Sequence, residues 1–259
     1  VGPAAHGLVD VSGGDGARAR AGVIALWAHP RSVSTAFLRM MAERGDVTVV
    51  HEPLVLLTDH GEVAVPGVGG GTATVRSYAA LLAHLAELGA AGPVFFKDTL
   101  EYHYDHLFAH PGSIAGFRHT FLVREPAATI ASHHAVKPEF ACREVGYEHQ
   151  WALFRLAWQT TGIRPVVVAA ERLLADPAGT VAAYCAATGL PYLPAALTWA
   201  PGELPQWRRN RRWHLDASAS SGFAAPRARH AVTVADDPRL RAYYDHHLPY
   251  YQRLVEHAL

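Results

Sequence analysis

Apolar residues fall along the chain in two alternating patterns. Five short runs rich in β-branched and aromatic side chains, near residues 22–28, 47–51, 94–97, 119–124 and 165–170, have the length and composition of buried strands. Between them apolar positions recur at spacings of three and four over 34–44, 76–88, 127–134, 144–161 and 178–188, which predicts helices. In the second of these, Tyr78, Leu81, Leu82, Leu85 and Leu88 form a stripe that faces a core. Strands alternating with helices require crossover connections. The expected fold class is therefore α/β, three layers deep, with a central, mostly parallel sheet of about five strands covered on both faces. Residues 237–259 repeat the helical pattern, but Pro249 predicts a bend or a division into two short helices. The glycines from Gly67 to Gly71 read as a flexible loop before a helix, and Thr72 stands where a dinucleotide-binding motif requires glycine. Residues 1–20, rich in Gly and Ala and without a period, read as a loose leader to a single domain over 21–259.

Composition narrows the function. Of 259 residues half are hydrophobic and 18% are charged, which excludes wholesale disorder, and no apolar run approaches the ~20 residues of a membrane span. Basic and acidic residues balance at 23 each, so there is no overall cationic field to hold a nucleic acid, although a local anion site is compatible with that balance. Two distant cysteines, Cys142 and Cys185, argue against a disulfide framework or a cysteine-based zinc site and suit a reducing cytoplasm. The opening segment lacks the order of a secretion signal, so the expected location is cytoplasmic.

Two segments carry the candidate chemistry. In residues 25–41 an apolar strand ends at His29–Pro30, a polar turn runs through Arg31, Ser32, Val33, Ser34 and Thr35, and an amphipathic helix follows at once. This strand-turn-helix is P-loop-like in outline. It turns the first free N–H groups of the helix, and the positive end of its dipole, toward an anion, while Arg31 adds a forked permanent charge. The plainer alternative is that Ser32 or Ser34 only caps the helix. Neither the glycines nor the lysine of a GxxxxGK[ST] loop is present, which disfavours a triphosphate-binding kinase. In residues 119–134 a second strand ends at Val123, Arg124 follows, Pro126 suits a first helical turn, and Ser132 lies further along. Ligands of parallel sheets collect at the carboxyl ends of the strands, so Arg31 and Arg124 should face one edge and one ligand with two phosphate-like groups.

These segments resemble the sulfotransferases that use 3′-phosphoadenylyl sulfate (PAPS). The HPRSVST loop resembles their 5′-phosphosulfate loop, and Arg124 with Ser132 resembles their 3′-phosphate motif. More narrowly, the order Pro30–Ala36, His51–Glu52–Pro53–Leu54, Phe95–Phe96–Lys97–Asp98, Phe121–Pro126 and Ser220–Ser221–Gly222–Phe223 is similar to a bacterial sulfotransferase-like group, over roughly residues 22–223. The resemblance implies PAPS as donor, PAP as product, a small-molecule acceptor such as a natural-product intermediate, and no metal. It implies donor binding by Arg31, Ser32, Val33, Ser34, Thr35, Arg124 and Ser132. Arg211 and Arg212, from the basic cluster 208–212, are further candidates, with a solvated surface run as the alternative.

For catalysis the resemblance points to Arg31, to Lys97 near the sulfuryl group, and to Glu52 as the base, with His51 beside it as rival. Neighbours on a strand point to opposite faces, so only one of that pair should reach the site. Lys97 paired with Asp98 or another carboxylate is the structural alternative. His103, His106 and His110 share a helical face and offer a weak metal signal; Tyr102 and Tyr104 beside them suit an acceptor pocket equally. Trp199, Trp207 and Trp213 suit core packing, adenine stacking or a pocket wall. A small-molecule kinase and an inert nucleotide-binding module are the competing functions.

Overall fold

A computed structural model describes residues 22–224 and 230–259, so the leader expected over 1–20 lies outside the described residues. In chain order the elements are β1 (Val23–Ala28), α1 (Ser34–Glu43), β2 (Thr48–His51), α2 (Pro53–His60), β3 (Val63–Pro66), β4 (Thr72–Val75), α3 (Tyr78–Ala91), β5 (Val94–Thr99), α4 (Asp105–Ala109), β6 (Phe117–Val123), α5 (Pro126–Val136), α6 (Tyr147–Thr161), β7 (Val166–Ala169), α7 (Ala170–Ala175), α8 (Pro177–Thr188), α9 (Leu215–Ser218) and α10 (Pro238–Val255). The main sheet has five parallel strands in the order β2-β5-β1-β6-β7.

β1 lies at the centre and is buried along its whole length. Its side chains alternate between two cores, as the pleat requires. Val23, Ala25 and Trp27 join Phe96, Phe121, the leucine stripe of α3 and Leu153 and Phe154 of α6. Ile24, Leu26 and Ala28 join Phe37, Met40 and Met41 of α1 and Val181 and Tyr184 of α8. Both faces are therefore covered, which is why the strands read as continuous apolar runs. In register Ala28 sits between Thr99 and Leu122, so the carboxyl ends of β5, β1 and β6 finish together and their loops share one edge.

Two expectations are corrected. The segment from Gly67 to Gly71 turns an antiparallel hairpin, β3–β4, with Gly69, Gly70 and Gly71 at φ of 84°, 113° and 73°, values that disfavour residues bearing a Cβ. Pro249 does not divide the last helix. α10 runs through it, because Pro249 and Asp245, whose carbonyl loses its amide partner, both face solvent while Leu240, His247 and Leu254 hold the other side in the core.

Candidate active site

The loop after β1 is fixed from below by His29. Its Nδ1 donates to the Pro30 carbonyl and its Nε2 accepts the Arg124 amide, each at 3.0 Å, so one imidazole ties the ends of β1 and β6 together. Burial pulls its pKa down to about 3, and the neutral ring holds a single tautomer. Arg31 and Val33 take left-handed conformations, φ 65° and 74°, which is unusual for a β-branched valine and costs of order 1–3 kcal/mol. Val33 is the residue capping α1 and supplies no side-chain acceptor, so neither Ser32 nor Ser34 caps the helix and its first N–H groups stay available. The Ser32 hydroxyl is buried without a partner.

Arg31 and Arg124 line one cavity of about 910 Å³, together with Val33, Ser34, Thr35 and Ser132. Arg124 Nη1 donates to the Arg31 carbonyl at 3.0 Å, and Arg31 Nε donates to Ser132 Oγ at 2.9 Å. The remaining Arg31 nitrogens reach the Trp213 carbonyl and the Asp216 carboxylate, both at 2.9 Å. Arg31 thus leans toward the Arg124–Ser132 end of the cavity. Glu125 caps α5 by accepting the Ala128 amide, which starts the helix carrying Ser132 immediately after Arg124.

Glu52, directly after β2, and Lys97, within β5, form a buried ion pair, and both line the cavity. The Glu52 amide donates to the Lys97 carbonyl at 2.7 Å, then the chain turns left-handed (φ 43°) into α2. Asp98 secures that turn by accepting the Leu54 and Val55 amides at 2.6 and 3.2 Å. The lysine's carboxylate partner is therefore Glu52, and Asp98 serves as a cap supplied by a neighbouring strand. Burial would raise the Glu52 pKa, but the Lys97 ammonium and His51 bring it down to about 2. Glu52 is ionised at any working pH.

His51 contacts Glu52 from behind, Nε2 to Oε2 at 3.5 Å, without lining the cavity. The left-handed turn at Glu52, not strand alternation, separates their roles. A third group, His214, lies against them; its ring sits 5.1 Å from His51, and Nδ1 is 3.3 Å from Thr35 Oγ1. Burial lowers the pKa of His51 to about 4 and of His214 to about 3. His51, Glu52 and His214 present ligand-type atoms within 4.8 Å of one another, and the Lys97 ammonium supplies the positive charge there.

Other expected residues divide. Arg212 and Trp213 line the cavity, with the guanidinium 5.4 Å from the ring, as do Ser220 to Phe223. Arg211 turns to Glu203 at 3.5 Å and does not line it. Trp199 and Trp207 pack into the core. Tyr102 lines the cavity with its hydroxyl on Asp59 at 2.7 Å, whereas Tyr104 is buried and bonds the Thr99 carbonyl. His103, His106 and His110 form no ligand cluster: His103 stacks on Phe108 and His106 on Tyr78. Asp216 and the contacts of His29 and His214 were not legible in the sequence, because nothing in their spacing marks them. His133, directly after Ser132, also lines the cavity, buried and with neither ring nitrogen partnered.

A sulfotransferase-domain family model matches residues 22–258, and the chain belongs to that family. It is 26% identical over 224 residues to branched-chain-amino-acid aminotransferase-like protein 1 of Arabidopsis thaliana, a match covering 79% of this chain and 37% of that protein. The chain therefore spans little more than a third of that relative. Among solved structures it is similar to the sulfotransferase domain of the Synechococcus PCC 7002 olefin synthase, at 14% identity and a TM-score of 0.47, over 86% of this chain and 94% of that one. It is also similar to a mouse sulfotransferase complexed with PAP, at 11% identity and a TM-score of 0.45, over 92% and 86%. Among the described residues no helix is long and apolar enough to cross a membrane.

Proposed function

We propose that this domain moves a sulfuryl group from PAPS to a hydroxyl or amine of a small-molecule acceptor. The observation that carries the reading is the meeting of Arg31, Arg124 and Ser132 with the Glu52–Lys97 pair on one cavity. Arg124 and Ser132 hold the 3′-phosphate, with Arg31 beside them. The N–H groups at the start of α1, with Ser34 and Thr35, hold the 5′-phosphosulfate. Transfer passes through a loose, in-line transition state, so the protein's work is positioning and charge neutralisation. As the acceptor oxygen or nitrogen bonds to sulfur, the sulfur–oxygen bond to the 5′-phosphate breaks and PAP leaves. Glu52 takes the acceptor's proton. Lys97 and the α1 amides neutralise the equatorial and leaving oxygens, a role fixed cations fill because a sulfuryl group carries less charge than a phosphoryl group. Val55, Asp59, Thr99 and Tyr102 form the wall beyond Lys97 where the acceptor enters.

A thermal-shift comparison tests this against a kinase. PAP at a hundredfold its Kd should stabilise the chain by about 2.7 kcal/mol, with no comparable effect from ATP–Mg²⁺. Stabilisation by ATP–Mg²⁺ alone would favour the kinase, and by neither would remove nucleotide binding from the cavity altogether.

A further inference from the structure

Away from the cavity, α10 meets the turn that precedes α6 and the first turn of α6 itself. Four metal-ligand side chains gather there: Cys142, Glu148, His246 and His247. Cys142 Sγ lies 3.6 Å from His247 Nε2, and His246 Nε2 lies 3.1 Å from Glu148 Oε2. Cys142, His246 and His247 offer ligand atoms all within 4.8 Å of one another. A tetrahedral zinc ion, with Zn–S about 2.3 Å and Zn–N or Zn–O about 2.0–2.2 Å, spaces its ligand atoms roughly 3.3–3.7 Å apart. Two edges of such a tetrahedron, Cys142–His247 and His246–Glu148, already stand near these separations; the other edges among Cys142, His246 and His247 need a contraction of up to about 1 Å, and the Glu148 carboxylate, held on His246, has to swing in as the fourth ligand.

We propose that Cys142, Glu148, His246 and His247 form a zinc site that clips α10 to the start of α6. The donor set suits a borderline-soft divalent ion, and a thiolate with a carboxylate neutralises its charge. Binding releases the thiol proton to solvent. His247 Nε2 now donates to the Cys142 carbonyl at 2.8 Å; it exchanges that bond for the metal, and its proton is carried by Nδ1, a buried atom without another partner. Partial exposure of Cys142 and of the His246 side chain gives the ion a way in. The clip has a consequence for the donor site. The His247 ring lies 5.7 Å from that of Tyr147, whose hydroxyl donates to the Arg124 carbonyl. Two cysteines alone spoke against such a site; the fold assembles it from residues about a hundred positions apart, which no spacing motif reveals.

The untagged full chain, reduced and stripped with a chelator, is titrated with Co²⁺. The expected result is one equivalent bound, with the sulfur-to-cobalt charge-transfer band and the visible bands of a tetrahedral thiolate site, both bleached by Zn²⁺. Cys185→Ser should retain the band and Cys142→Ser abolish it. His246→Ala, a surface change that should leave circular dichroism unaltered, should weaken Zn²⁺ binding more than about tenfold. No charge-transfer band in the wild type, a band that survives Cys142→Ser, or an unchanged Zn²⁺ affinity in His246→Ala each overturns the proposal.

Discussion

Acidification from pH 7 to pH 5 should destabilise this protein strongly. Six buried histidines, His29, His51, His119, His133, His214 and His247, have pKa values pulled by burial from 6.5 to between about 3 and about 4. Each stays neutral in the folded state and gains a proton near pH 6.5 on unfolding. The stability it contributes is complete above pH 6.5 and is lost as pH falls toward the folded value. At pH 5 the loss is about 2 kcal/mol per histidine. Two acids, Asp98 in the core and the half-buried Glu101 on the cavity wall, work the other way. Burial lifts Glu101 to about 7 and Asp98 to about 8, so each already holds a proton that the unfolded chain lacks. They offset rather more than two of the histidines and leave a net uptake of about four protons at pH 5 and a loss of roughly 6 kcal/mol between pH 7 and pH 5, comparable to the 5–15 kcal/mol of a typical domain. Urea unfolding at pH 7, 6 and 5 measures the slope. His119→Gln isolates one contribution away from the cavity, since His119 accepts from Trp27 Nε1 and reaches the Ile114 carbonyl at 3.0 Å each, and both bonds are within glutamine's repertoire. The variant should flatten the slope by about one proton. An unfolding free energy constant between pH 7 and pH 5 refutes the reasoning.

Other outcomes follow from the site. Arg124→Ala should weaken PAP far more than adenosine 5′-phosphosulfate in titration calorimetry; equal losses would remove Arg124 from the 3′-phosphate. Glu52→Gln should lower turnover by about 10²-fold and leave PAP affinity nearly unchanged; a variant that keeps its turnover transfers the base to His51 or His214. Asp216 bonds the Arg31 guanidinium that a phosphate would engage. Asp216→Asn should therefore tighten PAP by about 1 kcal/mol, roughly fivefold, read from Kd at low salt; unchanged or weaker binding would deny the competition.

The five main strands and the long helices were legible because a parallel sheet buried on both faces imposes uninterrupted β-branched runs, and amphipathic helices impose their own period. The β3–β4 hairpin was not. Its strands are four residues each, and its glycines serve a turn as readily as a loop. Pro249 misled because the cost of proline in a helix depends on whether the orphaned carbonyl meets water, a tertiary fact. That Arg31, Arg124 and Ser132 share one edge was legible because each follows a recognisable strand by a fixed interval. Arg31 was not expected to touch Ser132 or Asp216, and His214 was not expected beside Glu52. Such contacts depend on how residues 205–218 return over the sheet edge, a path without regular periodicity. The relation of Glu52 to His51 turned on one left-handed residue before a proline, which strand alternation does not describe.

A crystal structure of the full chain soaked with PAP tests the central claim most directly. The 3′-phosphate should lie on Arg124 and Ser132, and the 5′-phosphate on the amides that open α1, beside Lys97. A nucleotide seated elsewhere, or lying with its phosphates turned away from Arg31 and Arg124, would contradict the account.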